Sequence, residues 1–133
     1  MSYTNKDSNG NTIDNISSFD RCTFTWDNNM ITPENGYMGS HVTMWQVQGI
    51  TFIGCTFKDE RPSRPTATDI THGILTNESG YNIQKYSATV YDLSGNVIYI
   101  NTPTSFSNLT YGIKTSSSYS KPCTITRSVF TDN

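Results

Sequence analysis

Ser17-Ser-Phe19-Asp-Arg-Cys22-Thr-Phe24 returns as Ile50-Thr-Phe52-Ile-Gly-Cys55-Thr-Phe57 and again as Cys123-Thr-Ile125-Thr-Arg-Ser128-Val-Phe130. A phrase recurring at intervals of a few tens of residues marks a repeat architecture, because so short a unit cannot bury its own apolar face and is stable only when stacked on neighbours. Within the second half of the phrase, Cys22 and Phe24, Cys55 and Phe57, and Ser128 and Phe130 alternate with Thr23, Thr56 and Val129, the period of a half-buried strand. The first half alternates too, with Ile50 and Phe52 or Cys123 and Ile125 on one side. The two halves are out of phase. Both can face one interior only if the chain turns a corner at Asp20-Arg21, Ile53-Gly54 and Thr126-Arg127.

A weaker echo, His72-Gly73-Ile74-Leu75-Thr76 and Tyr111-Gly112-Ile113-Lys114-Thr115, predicts a third wall, which follows Phe57 in one copy and Phe106 in the other. The longer connection from Phe57 to Gly73 leaves the stack as a loop at about 58–70. Its polar composition with Pro62 and Pro65 suits that role, since proline donates no ladder hydrogen bond. The interval from Cys55 to Ser128 is more than twice that from Cys22 to Cys55. It therefore holds a further coil whose phrase has decayed, with Phe106 as its marker.

Gly49-Ile-Thr-Phe-Ile-Gly-Cys-Thr-Phe57, Phe106-Ser-Asn-Leu-Thr-Tyr-Gly-Ile113 and Thr124-Ile-Thr-Arg-Ser-Val-Phe-Thr-Asp-Asn133 resemble the secreted right-handed parallel β-helix repeat proteins of bacteria, within the broad pectin-lyase-like superfold. The resemblance covers roughly residues 15–133. It implies an all-β, right-handed parallel β-helix, a β-solenoid of about four irregular coils, and a secreted or cell-surface protein of the kind often exported with a type IX sorting tail. It brings no active site, because no catalytic motif matches residue by residue.

The remaining composition agrees with one such domain. Hydrophobic residues make up 34%, which is low, but charged residues make up only 15%. Thr, Ser, Asn, Tyr and Ile suit walls and turns, so disorder is disfavoured. Residues 1–14 form a polar segment without the apolar core of a secretory signal, and the sequence has no membrane-spanning run. The last strand phrase stops at Asn133 without the atypical unit that closes a solenoid, so the chain reads as a fragment that can self-associate end to end. A net charge of −2 without a basic cluster argues against nucleic acid as a partner.

The expected core stack is Cys22, Phe24, Phe52, Cys55, Phe57, Ile125 and Phe130, with Phe19 on the same phase. Cys22, Cys55 and Cys123 are read as free buried thiols. They have neither the spacing nor the neighbours of a zinc site, and neither a metal nor another cofactor is assigned. His41 and His72 are read as satisfied or surface residues.

No catalytic residue is assigned. Asp59 and Glu60, followed by Arg61 and Arg64, form the best enzymatic candidate, because β-helix enzymes acting on polysaccharides use clustered carboxylates. The plainer alternative is a solvated loop exit. Aromatic residues outside the inward phase, Trp45, Tyr81 and Tyr86, are the glycan-binding candidates, since an exposed ring stacks on the apolar face of a sugar. A structural or adhesive module that touches glycans is therefore expected. A polysaccharide lyase or hydrolase is the alternative, and a self-assembling filament subunit the third possibility.

Overall fold

A computed structural model describes residues 5–6, 8–13, 17–27, 39–61, 70–116 and 121–133. They form an all-β structure with no helix. A short antiparallel pair, β1 (Asn5–Lys6) and β2 (Thr12–Ile13), comes first. Three strands follow, β3 (Ser17–Asp20), β4 (Thr23–Trp26) and β5 (Gly39–Trp45), and the set repeats as β6 (Ile50–Ile53), β7 (Thr56–Asp59) and β8 (Thr71–Asn77). The next set begins with β9 (Tyr81–Gln84) and is interrupted by β10 (Tyr86–Tyr91) and β11 (Val97–Thr102). It resumes with β12 (Thr104–Ser107) and β13 (Tyr111–Thr115), and β14 (Cys123–Ile125) and β15 (Ser128–Thr131) close the order.

Each position in the set has its own parallel sheet: β3-β6-β9-β14, β4-β7-β12-β15 and β5-β8-β13. The register places like upon like. Phe24, Phe57, Phe106 and Phe130 are successive partners, and Phe19, Phe52, Ile83 and Ile125 form a second row. Phe106 thus lies where the decayed coil was expected.

The corners lie where the phase shift requires them. Arg21, Gly54 and Arg127 have φ of 53°, 57° and 47°, in the left-handed region. At the first two corners the amides extend the ladder around the bend, Arg21 N–H donating to the Ile53 carbonyl at 2.8 Å and Gly54 N–H to that of Gln84 at 2.9 Å. Gly54 is required twice over. A Cβ there would lie 2.6 Å from the Tyr86 Cβ and 3.2 Å from the Thr102 carbonyl, beneath the root of the β10-β11 hairpin.

The interior is an aromatic ladder. Phe57 stacks on Phe24 at 4.7 Å and on Phe106 at 4.8 Å, Phe106 stacks on Phe130 at 4.8 Å, and all are within 5° of parallel. Phe52, Cys55, Phe57, Ile74, Ile83, Phe106 and Leu109 are fully buried, whereas Thr23 and Val129 are exposed and Thr56 is half-buried. The inward phase is the one the alternation predicts. Gly73 and Gly112 open the third sheet to this ladder, because a Cβ at either would meet the ring of Phe106 or Phe130 within 2.8 Å.

Four core expectations need correction. Cys22 and Phe24 are half-buried, and Ile125 and Phe130 are 44% and 49% exposed, because Phe24, Ile125 and Phe130 lie on the first or last strand of their sheets with a neighbour on one side only, and Cys22 directly precedes such a strand. Cys123 is exposed for the same reason, contrary to its reading as a buried thiol. All three cysteines are free. At the start of the expected loop, Lys58 and Asp59 belong to β7, and residues 62–69 of that loop lie outside the described residues.

The β10-β11 hairpin was not anticipated. Its turn is closed by Asp92, whose Oδ1 accepts the Ser94 and Asn96 amides at 2.8 Å each and whose Oδ2 accepts Asn96 Nδ2 at 2.8 Å. Those hydrogen bonds hold its carboxyl below the usual range.

Candidate functional site: a cationic corner groove

The first corner carries a groove of about 500 Å³ lined by Asp20, Ile53, Gln84, Lys85, Tyr86, Ser87, Thr126 and Arg127. Sequence position alone would scatter these residues. They meet because Asp20, Ile53 and Gln84 end successive strands of one parallel sheet, while Tyr86 and Ser87 begin the hairpin that leaves from the same place.

Arg21, at the left-handed corner, is held by two of the residues that line the groove, Asp20 and Tyr86. Its Nε donates to Asp20 Oδ1 at 2.9 Å, a second guanidinium nitrogen donates to Oδ2 at 3.2 Å, and its Cζ lies 4.3 Å from the centre of the Tyr86 ring. The hydrogen bond and charge of Asp20 hold the guanidinium pKa above its ordinary value, so Arg21 stays cationic. Tyr86 is therefore not the bare stacking platform expected from the sequence. One ring face supports an arginine, a cation–π contact, and the tyrosine works as a positioning group.

Around this pair, the Lys85 ammonium donates to Asn101 Oδ1, which also accepts the Ser87 hydroxyl at 3.1 Å. Arg127 takes part in none of the three ion pairs among the described residues. Arg21, Lys85 and Arg127 thus outnumber Asp20 at this corner, on a chain whose net charge is −2.

The other glycan candidates lie elsewhere. Trp45 is 58% exposed beside an apolar hollow shared with Phe19, Val42, Met44 and Ile50. Tyr81 is only 3% exposed, and burial pushes its phenol up to about 12. An inward partner of Ile50 and Cys123 in the register, it cannot serve as a surface platform. The period-2 pattern of β9 carried that signal, since Tyr81 shares parity with Ile83.

The enzymatic candidates are locked in place. The side chains of Asp59 and Arg61 are 1% and 2% exposed, and Arg61 Nε and a terminal guanidinium nitrogen donate to the two carboxylate oxygens at 2.9 and 2.5 Å. Such a fork satisfies both groups internally. Asp59 is thus not at a solvated loop exit; both its oxygens are held by Arg61 and shielded from solvent. Glu60 pairs with Lys58 at the surface, and Arg64 lies outside the described residues. Among the described residues, no group of three His, Cys, Asp or Glu side chains could hold a metal ion.

His72 is buried and His41 is half-buried. His41 stacks on Trp26 at 3.7 Å, with Nε2 3.0 Å from the Lys58 carbonyl. His72 is 3% exposed, with Nδ1 3.4 Å from the Ser40 hydroxyl. Burial, assisted at His72 by Lys114, lowers both pKa values. The unfolded chain therefore takes up protons near pH 6.5, where the folded one does not. Stability should be constant above about pH 7 and fall as the pH drops below about 6.5. Thermal melts from pH 8 to 5 check this, and the His41→Gln/His72→Gln double variant should show a shallower fall. A melting temperature that rises on acidification would contradict the assignment.

Comparison with family models, curated proteins and solved structures yields no significant match to this chain.

Proposed function

We propose that the chain is a non-enzymatic module of a secreted or cell-surface bacterial protein, a right-handed parallel β-helix whose first corner holds an acidic glycan. Three facts support the architecture: three parallel sheets, strands that visit them in a fixed rotation, and corners in matching register. The right hand follows from the strong preference of parallel crossover connections. The secreted setting rests on the resemblance of the repeat phrases.

The groove carries the functional reading. It combines Lys85 and Arg127 with the amide of Gln84, the hydroxyl of Ser87 and the Arg21-Tyr86 pair on an acidic chain. Cations attract carboxylate or sulfate groups, while neutral donors and acceptors fix the orientation of hydroxyls. A lyase or hydrolase reading is weaker, because the best acid, Asp59, is committed to Arg61.

Affinity electrophoresis against polygalacturonate and against uncharged dextran tests the proposal. The protein should be retarded by the acidic polymer alone. Lys85→Ala/Arg127→Ala should weaken that retention about tenfold without lowering the melting temperature, and salt should weaken it further. Equal retention by dextran, or no retention by either polymer, would overturn it. Release of unsaturated or reducing ends would favour the enzyme instead.

A further inference from the structure

The corner groove has one aromatic ring among its lining residues, Tyr86, and Arg21 already occupies a face of that ring. A sugar held there by charge alone would lack an aromatic surface for its apolar face. A second hollow, of about 220 Å³, supplies one. Lys85 and Ser87 line both hollows, so the two adjoin, and the second runs on over Thr89, Tyr99 and Asn101. In the register of β10 and β11, Ser87 is opposite Asn101 and Thr89 is opposite Tyr99, and directly opposed residues share a face of the ribbon. The Tyr99 ring is 74% exposed. Its polar neighbours are held in place, since Asn101 Oδ1 accepts from the Lys85 ammonium and from the Ser87 hydroxyl at 3.1 Å. Neither strand contains Asp or Glu, so no strand residue of the ribbon repels a carboxylate chain.

Building on the reading of the corner as an acidic-glycan site, we propose that the polar face of the ribbon is a second subsite, in which Tyr99 carries the next ring of the same chain. The backbone sets the spacing. Ile83 and Ile125 are partners in neighbouring strands, and Lys85 and Arg127 each follow two residues later, so the two cations are separated by one strand spacing of about 4.8 Å. Two successive carboxylates of an acidic chain engage them. Tyr99 lies two residues from Asn101 along β11, about 7 Å farther out, where the third ring arrives. Its apolar face meets the tyrosine, and its hydroxyls meet those of Ser87 and Thr89, the combination of ring and polar groups that holds and orients a sugar. Tyr91 shares this face of the ribbon and is 69% exposed, but it does not line the hollow.

Titration calorimetry with digalacturonate and hexagalacturonate tests the subsite. The wild type should bind the hexamer about tenfold more tightly than the dimer, and Tyr99→Ala should remove most of that gain while leaving the dimer's affinity and the melting temperature unchanged. Tyr99→Phe, which keeps the ring, should bind the hexamer as the wild type does. Tyr91→Ala should have no effect on either ligand, whereas Lys85→Ala/Arg127→Ala should weaken both. Equal affinity of the wild type for the two oligomers, hexamer binding undiminished in Tyr99→Ala, or the same loss for dimer and hexamer in that variant would each overturn the subsite and leave the corner standing. A wild type that binds neither oligomer would overturn the corner and the subsite together.

Discussion

Replacing Phe57 by Ala should lower the free energy of unfolding by about 3–5 kcal/mol, the range for a fully buried aromatic side chain. The ring has no solvent exposure and is held between Phe24 and Phe106, with the edge of Phe52 at 5.6 Å. Its removal leaves a cavity that cannot collapse, because the spacing of the neighbouring rings is fixed by the hydrogen-bonded register of β4, β7 and β12. The loss adds the transfer term to the cavity term. Phe130→Ala should cost less, because half of that ring already faces solvent. Urea denaturation of both variants checks the ranking. A Phe57→Ala midpoint within error of the wild type would refute the stacked interior.

Asp59→Ala should be nearly as damaging, at about 3–5 kcal/mol, since it leaves the Arg61 guanidinium buried without its counter-charge. Both side chains are almost fully enclosed, and Arg61 also lies 6.0 Å from the centre of the Trp26 ring. The cause is desolvation. An unpaired guanidinium must then either remain ionised in a poor dielectric or drag the end of β7 open to reach water. The double variant Asp59→Leu/Arg61→Met should recover most of the loss, because removing both charges removes the penalty. Chemical denaturation of the two single variants and the double variant forms a cycle that isolates the pair. Additive effects would mean that the pair is solvated.

Much of the core could be read in advance because the phrase carries its own phase. Alternation in Cys55-Thr-Phe57 states which side chains face inward, and the odd step from Phe52 to Cys55 requires a corner at Gly54. Burial at the ends was less legible. Phe24 and Phe130 obey the same grammar as Phe57, but how far each is covered depends on how many strands lie beside it. The hairpin was missed although Asp92-Leu-Ser-Gly-Asn96 between alternating apolar runs is a turn signal of known chemistry. Its strands alternate with the same period as wall strands, so alternation alone does not set them apart from the repeat.

Sequence by itself determined the period-2 faces, the corner positions and the repeat of Phe upon Phe, because these follow from local backbone geometry and from side chains a few residues apart. Only the tertiary structure decided which polar residues meet. Asp20, Gln84 and Arg127 are far apart along the chain and converge because parallel strands place each set above the last. It also decided that Asp59 is spent on Arg61, that Tyr81 is buried and that Tyr86 carries Arg21. Charge and exposure are properties of a neighbourhood, and here the neighbours are supplied by the stacking of one set of strands on the next.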